Sequence, residues 1–203
     1  MNKEYYMEQN VEKKIIAFAG TAHSGKSAVW ELLKSMERVP RDIGFVGEAA
    51  TDIMNTTNLH PLINPIAFQE AVKILQYERE ETQLRENKIV IADRGLADAY
   101  VFLDASDAEN IVGCSVEALL DRYYAVFFFM PYLSGDHITD GNQQRYETST
   151  EELLVQFEKS YAVWGRHKNM IPIPTFDTVE HRKDYVLSKL NQILDNAFQD
   201  GVA

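Results

Sequence analysis

The sequence has little of several features that would point to particular classes of protein. Its single cysteine, Cys114, excludes an internal disulfide among 203 residues and agrees with a reducing compartment. Its 20 lysines and arginines are outnumbered by 31 aspartates and glutamates, and the net charge of -11 argues against nonspecific binding to nucleic acid. We therefore expect a cytoplasmic protein with no nucleic-acid partner.

Long hydrophobic runs are also missing. The longest, from Tyr123 to Leu133, is much shorter than the ~20 residues that a membrane-spanning helix needs. The N-terminal residues lack the apolar core of a signal peptide, and the chain has no repeats or low-complexity tracts. We expect no membrane span, a flexible segment over residues 1–12, and a single domain over residues 1–203.

The sequence does contain a phosphate-binding motif. The P-loop pattern G-x-x-x-x-G-K-[ST] is matched by Gly20, Thr21, Ala22, His23, Ser24, Gly25, Lys26 and Ser27. Glycines let the backbone wrap a phosphate with its N–H groups turned inward. Lys26 would reach the β- and γ-phosphates, and the Ser27 hydroxyl would bind Mg²⁺. A helix starting at the motif, with Ala28 in its first turn, would add partial positive charge, so we predict an ATP site.

Strand and helix patterns alternate along the chain, which is typical of a parallel sheet with helices on both faces. Strands are predicted at 14–19, 44–48, 88–93, 124–130 and 170–174. Prolines in the last of these favour an edge position. Helices are predicted at 27–38, 49–57, 66–87, 96–103, 115–122, 150–167 and 178–198, with a polar loop at 104–113. Residues 134–150 are polar and are predicted to form a lid.

Three candidate site residues follow predicted strands. Asp93 ends an apolar strand that a parallel sheet would place beside the P-loop, where its carboxylate could bind Mg²⁺ or cap the next helix. Arg94 could neutralise a phosphate or form an ion pair with an acidic helix. Glu48 could accept a proton from an acceptor hydroxyl, bind Mg²⁺ through water, or lie at the surface.

Further candidates come from the C-terminal half and from the aromatic residues. Arg145 is the single arginine of the lid segment and could stabilise the charge of a transferred phosphoryl group, or belong to a solvated loop. The alternative cations on the following helix and just after it are Lys159, Arg166 and Lys168. Side chains that could line a base or acceptor pocket, or pack in the core, are Phe68, Tyr77, Tyr100 and Trp164.

These residues together resemble a small P-loop family described as "AAA domain" ATP-binding proteins. The family is similar to nicotinamide riboside kinases and, more distantly, to thymidylate and deoxynucleoside kinases. The resemblance is strongest at the P-loop and at D-R-G-x-x-D-x-x-Y, matched by Asp93, Arg94, Gly95 and Asp98, with Tyr100 one position short. In the family, an arginine often follows the glutamate that corresponds to Glu48. In this sequence, Glu48 is followed instead by Ala49, Ala50 and Thr51.

Two further segments extend the resemblance. The family's lid-side R-x-E pattern resembles Arg145, Tyr146 and Glu147 of this sequence. The start of the family's last helix, which often lies near the adenine, resembles Glu180, His181 and Arg182. The resemblance implies a three-layer α/β P-loop NTPase fold with a five-stranded parallel sheet in the order 2-3-1-4-5.

The functional prediction is a Mg²⁺-ATP-dependent kinase acting on a small nucleoside- or nucleotide-like acceptor. Catalytic roles are predicted for Lys26, Glu48, Arg94 and Arg145, and metal ligation for Ser27 and Asp93. The alternative is an ATPase, GTPase or nucleotide-dependent switch, although the N-K-x-D guanine motif of most G-proteins does not occur. The sequence leaves open the acceptor and whether the chain forms a homodimer.

Overall fold

The central feature of the fold is a parallel sheet. A computed structural model describes residues 13–22, 24–36, 43–132 and 149–199. Its sheet has five strands in the order β2-β3-β1-β4-β5, all paired in parallel. The strands are β1 (Lys14–Ala19), β2 (Ile43–Val46), β3 (Ile89–Asp93), β4 (Ala125–Phe129) and β5 (Met170–Ile173). The predicted strand order is confirmed, and β5 with its Pro172 lies at an edge of the sheet.

Helices connect the strands. They are α1 (Lys26–Lys34), α2 (Ala49–Thr56), α3 (Pro65–Glu86), α4 (Ala99–Phe102), α5 (Ala105–Val112), α6 (Val116–Leu120), α7 (Thr150–Trp164) and α8 (Val179–Gln199). A short 3-10 turn, Leu96–Asp98, precedes α4 where the sequence predicted one continuous helix. No helix within the described ranges is long and apolar enough to cross a membrane.

The predicted polar loop at residues 104–113 is wrong, because this segment contains α5. Asp104 caps the helix, and its side chain accepts a hydrogen bond from the Asp107 backbone N–H. Gly113 ends the helix in the left-handed conformation, with φ of 82°. Ala108 is fully buried, which anchors one face of this short polar helix. These two capping residues indicate a helix, but the polar composition of the segment led to the prediction of a loop.

A capping box fixes the start of α7. The helix begins at Thr150, as predicted, and Ser149 is the capping residue before it. The Ser149 hydroxyl accepts from the Glu152 backbone N–H, and the Glu152 carboxylate accepts from the Ser149 backbone N–H. The remainder of the predicted lid, residues 134–148, lies outside the described residues, as does the predicted flexible segment 1–12.

Both faces of the sheet are covered by helices, which gives three layers. Alternate residues of a strand point to opposite faces. On one face, Ala17, Val90 and Phe128 pack with Trp164 of α7. On the other face, Phe18, Ile91, Phe127 and Phe129 pack against side chains of α1 and α8, namely Val29, Trp30, Leu33, Val186 and Leu190. The core therefore lies on both sides of β1, β3 and β4, whose residues are buried throughout.

The strand register decides where the polar ends of the strands meet. In the pairing of β1 with β3, Phe18 lies opposite Asp93, so Asp93 is level with the last residues before the P-loop. In the pairing of β2 with β3, Val46 lies opposite Ala92. Glu48 follows two residues later, as the residue that precedes α2. The carboxyl ends of the three strands thus bring these groups to one edge of the sheet.

Candidate functional site

Two glycines give the P-loop its shape. Gly20 has φ of 126°, and a Cβ built there would lie 2.6 Å from the backbone oxygen of Phe129. Gly25 has φ of 75° and is the residue that precedes α1. Both conformations are costly for residues with side chains. The loop therefore turns back over the end of β1 and places the free N–H groups of the first turn of α1 at the cavity.

Lys26 is folded back onto its own loop. Its Nζ donates to the Thr21 carbonyl oxygen and, at 3.1 Å, to the Ser24 Oγ, and the residue is 4 % exposed. Burial, together with the charge of Arg94, lowers the pKa of Lys26 from 10.5 to about 7. An anionic ligand at the P-loop would favour the protonated form of this buried amine.

Ser27 and Asp93 form the candidate metal site. Asp93 is 3 % exposed, and its Oδ1 atom is buried without a hydrogen-bond partner. Burial raises the pKa of Asp93, while Lys26 and a hydrogen bond from Ser27 act to lower it. An orphaned carboxylate oxygen beside a serine hydroxyl at the P-loop fits the hard oxygen ligands that Mg²⁺ prefers.

Arg94 connects the carboxyl ends of the strands to the P-loop. Its Nε donates to Glu48 Oε1 at 3.0 Å, and its Nη1 donates to the Gly20 carbonyl oxygen at 3.0 Å. The Asp98 carboxylate lies 3.7 Å from the same Nη1. Although burial acts in the opposite direction, Glu48 and Asp98 raise the pKa of Arg94 above its usual value. Arg94 is also the one non-glycine residue with positive φ, 84°, within the described chain, so surrounding contacts hold it in an unfavourable conformation.

Glu48 is an ionised carboxylate at this edge. Its Oε2 accepts from the Thr51 hydroxyl at 3.0 Å, while Oε1 binds Arg94. Burial pushes the pKa of Glu48 upward, but Arg94 and Lys26 outweigh it and hold the pKa below the usual value. Arg94 therefore forms ion pairs with Glu48 and Asp98, and its contact with a phosphate stays a prediction.

A buried polar network supports the segment after β3. The Tyr123 hydroxyl accepts from the Leu96 backbone N–H at 2.7 Å and donates to Glu80 Oε1 at 3.3 Å. Trp164 Nε1 donates to Asp98 Oδ1 at 2.7 Å. A Cβ at Gly95 would lie 2.7 Å from the Tyr123 hydroxyl and 2.8 Å from the Trp164 ring. The close approach of these two aromatic rings is the physical reason for glycine at this position.

Arg182 supports the P-loop from α8. It is 1 % exposed and donates to the carbonyl oxygens of Ser24, Met130 and Ile173. Its guanidinium lies 4.9 Å from the Phe129 ring centroid and 5.0 Å from that of Tyr132. The sequence suggested only proximity to adenine through resemblance. The structure shows that Arg182 joins the P-loop to the ends of β4 and β5, a long-range role that no local pattern signals.

A cavity of about 1710 Å³ unites these groups. At the P-loop it is lined by Ser24, Gly25, Lys26, Ser27 and Ala28. Beyond Glu48 and Arg94, a second part, which we name the acceptor lobe, is lined from α2, α3, α4 and α7 by Met54, Phe68, Gln69, Val72, Phe102 and Val155. On the opposite side, Tyr132 and the segment 175–179 line the cavity beside the P-loop.

The structure separates the remaining candidates. Lys159 lines the cavity, whereas Arg166 forms an ion pair with Glu117 and Lys168 with Asp121. Among the aromatic candidates, only Phe68 lines the cavity: the Tyr77 ring lies against Arg122, the Tyr100 hydroxyl donates to the Cys114 carbonyl, and Trp164 packs on Tyr123. His23 and Arg145 lie outside the described residues.

Comparison with known proteins agrees with this geometry. A family model described as "AAA domain" matches residues 15–182. The chain belongs to this AAA-domain family. Its matched region spans β1, the P-loop and every other element named above as far as Arg182 of α8. No functionally curated protein matches the sequence.

Solved structures extend the comparison to the fold. The AAA-domain chain superposes on the crystal structure of thymidylate kinase from Ehrlichia chaffeensis with a TM-score of 0.58. The two are 17 % identical, over 89 % of this chain and 99 % of that one. This similarity shows a P-loop kinase-like fold, with the predicted strand order and helices on both faces of the sheet.

Proposed function

We propose that this AAA-domain chain is a Mg²⁺-ATP-dependent kinase that transfers the γ-phosphate to a hydroxyl of a small nucleoside- or nucleotide-like acceptor. The observation that carries the proposal is the acceptor lobe. The cavity continues from the P-loop past Glu48 and Arg94 into this second space, which α2, α3, α4 and α7 line with apolar and polar side chains. A protein that only hydrolyses or senses a nucleotide needs no such space, whereas a kinase must bind a second substrate next to the phosphates.

The P-loop residues would bind the triphosphate. Backbone N–H groups from Gly20 to Ala28, including those of Thr21, Ala22, His23 and Ser24, would surround the phosphates. Lys26 would exchange its contacts with its own loop for the β- and γ-phosphate oxygens. Its charge would then stabilise the negative charge of the transferred group.

Ser27 and Asp93 would hold Mg²⁺, and the unpaired Oδ1 of Asp93 supports this assignment. When bound, Mg²⁺ would neutralise charge on the phosphate oxygens. The Asp93 carboxylate would stay ionised, because the charge of a bound cation would offset the effect of burial on its pKa. Ser27, in the first turn of α1, would orient its hydroxyl toward the same position.

Glu48 would act at the acceptor. The acceptor oxygen forms a bond to the γ-phosphorus while the bond from that phosphorus to the bridging oxygen of ADP breaks. The acceptor proton passes to the Glu48 carboxylate, whose lowered pKa keeps it ionised and ready to accept. A weak base is sufficient because phosphoryl transfer has a loose transition state and depends mainly on positioning. Arg94 would orient Glu48, and Arg145 would stabilise phosphate charge from the lid.

The test is ATP consumption by purified protein with Mg²⁺, with and without nucleosides, nucleoside monophosphates or nicotinamide riboside. Stimulation by one acceptor, with stoichiometric appearance of the phosphorylated acceptor, is the expected result. Lys26→Ala should abolish it, whereas Lys168→Ala, a surface lysine paired with Asp121, should not. Slow ADP formation that no acceptor changes would contradict the proposal and favour a hydrolase or switch.

A further inference from the structure

The peptide between Ser24 and Gly25 lies where the P-loop meets α1. It is trans, as is every peptide bond of the described chain, so its C=O and N–H groups point in opposite directions. Gly25 has φ of 75°, but glycine accepts either sign of φ at little cost. The conformation of this residue alone therefore does not fix how the peptide is turned, and a contact from elsewhere in the fold must decide it.

Arg182 supplies that contact from α8. Its Nη1 donates to the Ser24 carbonyl oxygen, and a Cβ built on Gly25 would lie 3.3 Å from the same nitrogen atom. The Gly25 N–H lies on the other side of the peptide and donates to no backbone group in the described part of the chain. It therefore points away from Arg182 and is free to bind a ligand at the P-loop.

The arginine is itself held by the carboxyl ends of two strands. Its Nη2 donates to the carbonyl oxygen of Met130 at 2.8 Å and to that of Ile173 at 3.0 Å. Ile173 ends β5, and Met130 directly follows β4. A planar guanidinium fixed in this way cannot follow the Ser24 carbonyl if the peptide turns over. Such a turn would leave a buried donor without a partner, which is costly.

The positive charge of Arg182 has no carboxylate partner. Among the described residues no aspartate or glutamate forms an ion pair with it, and its guanidinium lies against the rings of Phe129 and Tyr132. Burial lowers the pKa of Arg182, but an arginine side chain stays charged in proteins. An anion bound at the P-loop would therefore stabilise this buried charge while it accepts from the Gly25 N–H.

We propose that Arg182 is a positioning residue for polyphosphate binding, which holds the Ser24 carbonyl so that the Gly25 N–H donates to a phosphate oxygen. The inference rests on the proposed function only in placing phosphates at the P-loop, and it needs neither an acceptor nor a transfer step. It also differs from a contact between α8 and the adenine, because it makes the binding of phosphate groups alone depend on Arg182.

The test separates the phosphate groups from the rest of the nucleotide. Calorimetry with Mg²⁺ would measure the affinity for inorganic triphosphate and for ATP in wild type, Arg182→Met, Arg182→Lys and Lys189→Met. Lys189 is a matched control, because it lies two turns further along α8, donates to Gln192 Oε1 at 3.4 Å and is outside the cavity lining. Urea denaturation of each variant verifies folding.

Arg182→Met should bind inorganic triphosphate about 10- to 100-fold more weakly than wild type, the range expected for one hydrogen bond to a charged group. The affinity for ATP should fall by the same factor, because the base and the sugar are not involved. Arg182→Lys should show a smaller loss, since an ammonium can reach one carbonyl oxygen but cannot bridge all of them. Lys189→Met should bind both ligands as wild type does.

Amide NMR gives a readout that a loss of stability alone would not change. In wild type, inorganic triphosphate should shift the Gly25 amide proton downfield, because a hydrogen bond to an anion forms there. The shift should be lost in Arg182→Met and kept in Lys189→Met. The Gly113 N–H, which donates to the Glu109 carbonyl oxygen at 2.7 Å and lies outside the cavity lining, is an internal reference in each spectrum.

Three results would overturn the inference: equal affinity of wild type and Arg182→Met for inorganic triphosphate, a loss of affinity for ATP alone, or a Gly25 amide proton that triphosphate does not shift in wild type. The second of these would mean that Arg182 acts on the base or the sugar. Failure of the proposed kinase function gives a different result. Triphosphate binding would then depend on Arg182, yet wild-type protein with ATP and Mg²⁺ would phosphorylate no acceptor.

Discussion

Arg94 and Glu48, which are 46 residues apart in the chain, form an ion pair of 3.0 Å at the edge of the sheet. The arginine uses the same guanidinium to bind the Gly20 carbonyl oxygen of the P-loop. The carboxyl ends of β2 and β3 are thereby joined to the nucleotide side of the cavity. The pair fixes the position of the carboxylate and keeps its pKa low.

Arg94→Lys should lower kcat by about 100-fold, because an ammonium cannot donate in the fixed fork that reaches both Glu48 and Gly20. The measurement is steady-state turnover, with Arg166→Lys, a surface arginine paired with Glu117, as the control.

Arg94→Ala should move the acid limb of the pH–rate profile to higher pH. Burial then raises the pKa of Glu48 with only the charge of Lys26 and the Thr51 hydrogen bond to oppose it. An unchanged acid limb would argue against Glu48 as the proton acceptor.

Nucleotide binding should take up a proton at Lys26. The pKa of Lys26 is about 7 in the free protein, and bound phosphates would raise it. Above about pH 7, ATP affinity should therefore fall as pH rises, by at most tenfold per pH unit, because binding must protonate a neutral amine. Calorimetry in two buffers of different ionisation enthalpy measures the uptake. Lys26→Ala should bind weakly and without this proton uptake, and wild-type affinity independent of pH between about 7 and 9 would contradict the prediction.

Asp93→Asn should weaken the Mg²⁺ dependence of ATP binding. The substitution keeps the shape of the side chain but removes the charge of the oxygen that has no protein partner. We expect about a 10- to 100-fold higher Mg²⁺ concentration for half-maximal binding, measured by titrating Mg²⁺ at fixed ATP. Asp121→Asn, which removes a surface carboxylate beside Lys168, should leave the titration unchanged. An unchanged titration in Asp93→Asn would exclude Asp93 as a ligand.

Gly20→Ala should destabilise the fold more than Gly113→Ala. Both glycines have positive φ, so each alanine costs about 1–2 kcal/mol for conformation alone. At Gly113 no atom lies within 4 Å of the added Cβ, whereas at Gly20 the Phe129 backbone oxygen lies at 2.6 Å. Moving β4 should add at least about 1 kcal/mol to the loss of unfolding free energy. Urea denaturation of both variants gives the comparison, and equal losses would mean that the loop relaxes freely.

The sequence by itself determined the parts of this protein that depend on local pattern. The P-loop has a fixed spacing of glycines, Lys26 and Ser27, and the apolar strand ending at Asp93 is readable from its run of buried residue types. Alternation of strands and helices indicated the three-layer fold, and resemblance to a family added the strand order. Capping signals at Asp104 and Gly113 were present as well, but the polar composition between them led to a loop prediction.

Only the tertiary structure decided which distant groups meet. The pairing of Arg94 with Glu48, the burial of Arg182 beneath the P-loop and the opening of Gln69 into the acceptor lobe depend on strand register and helix packing. These contacts join residues that are far apart in the chain. Local periodicity carries no information about such separations, because burial and desolvation are properties of the assembled core. The pKa values of Lys26 and Glu48 follow from that assembly in the same way.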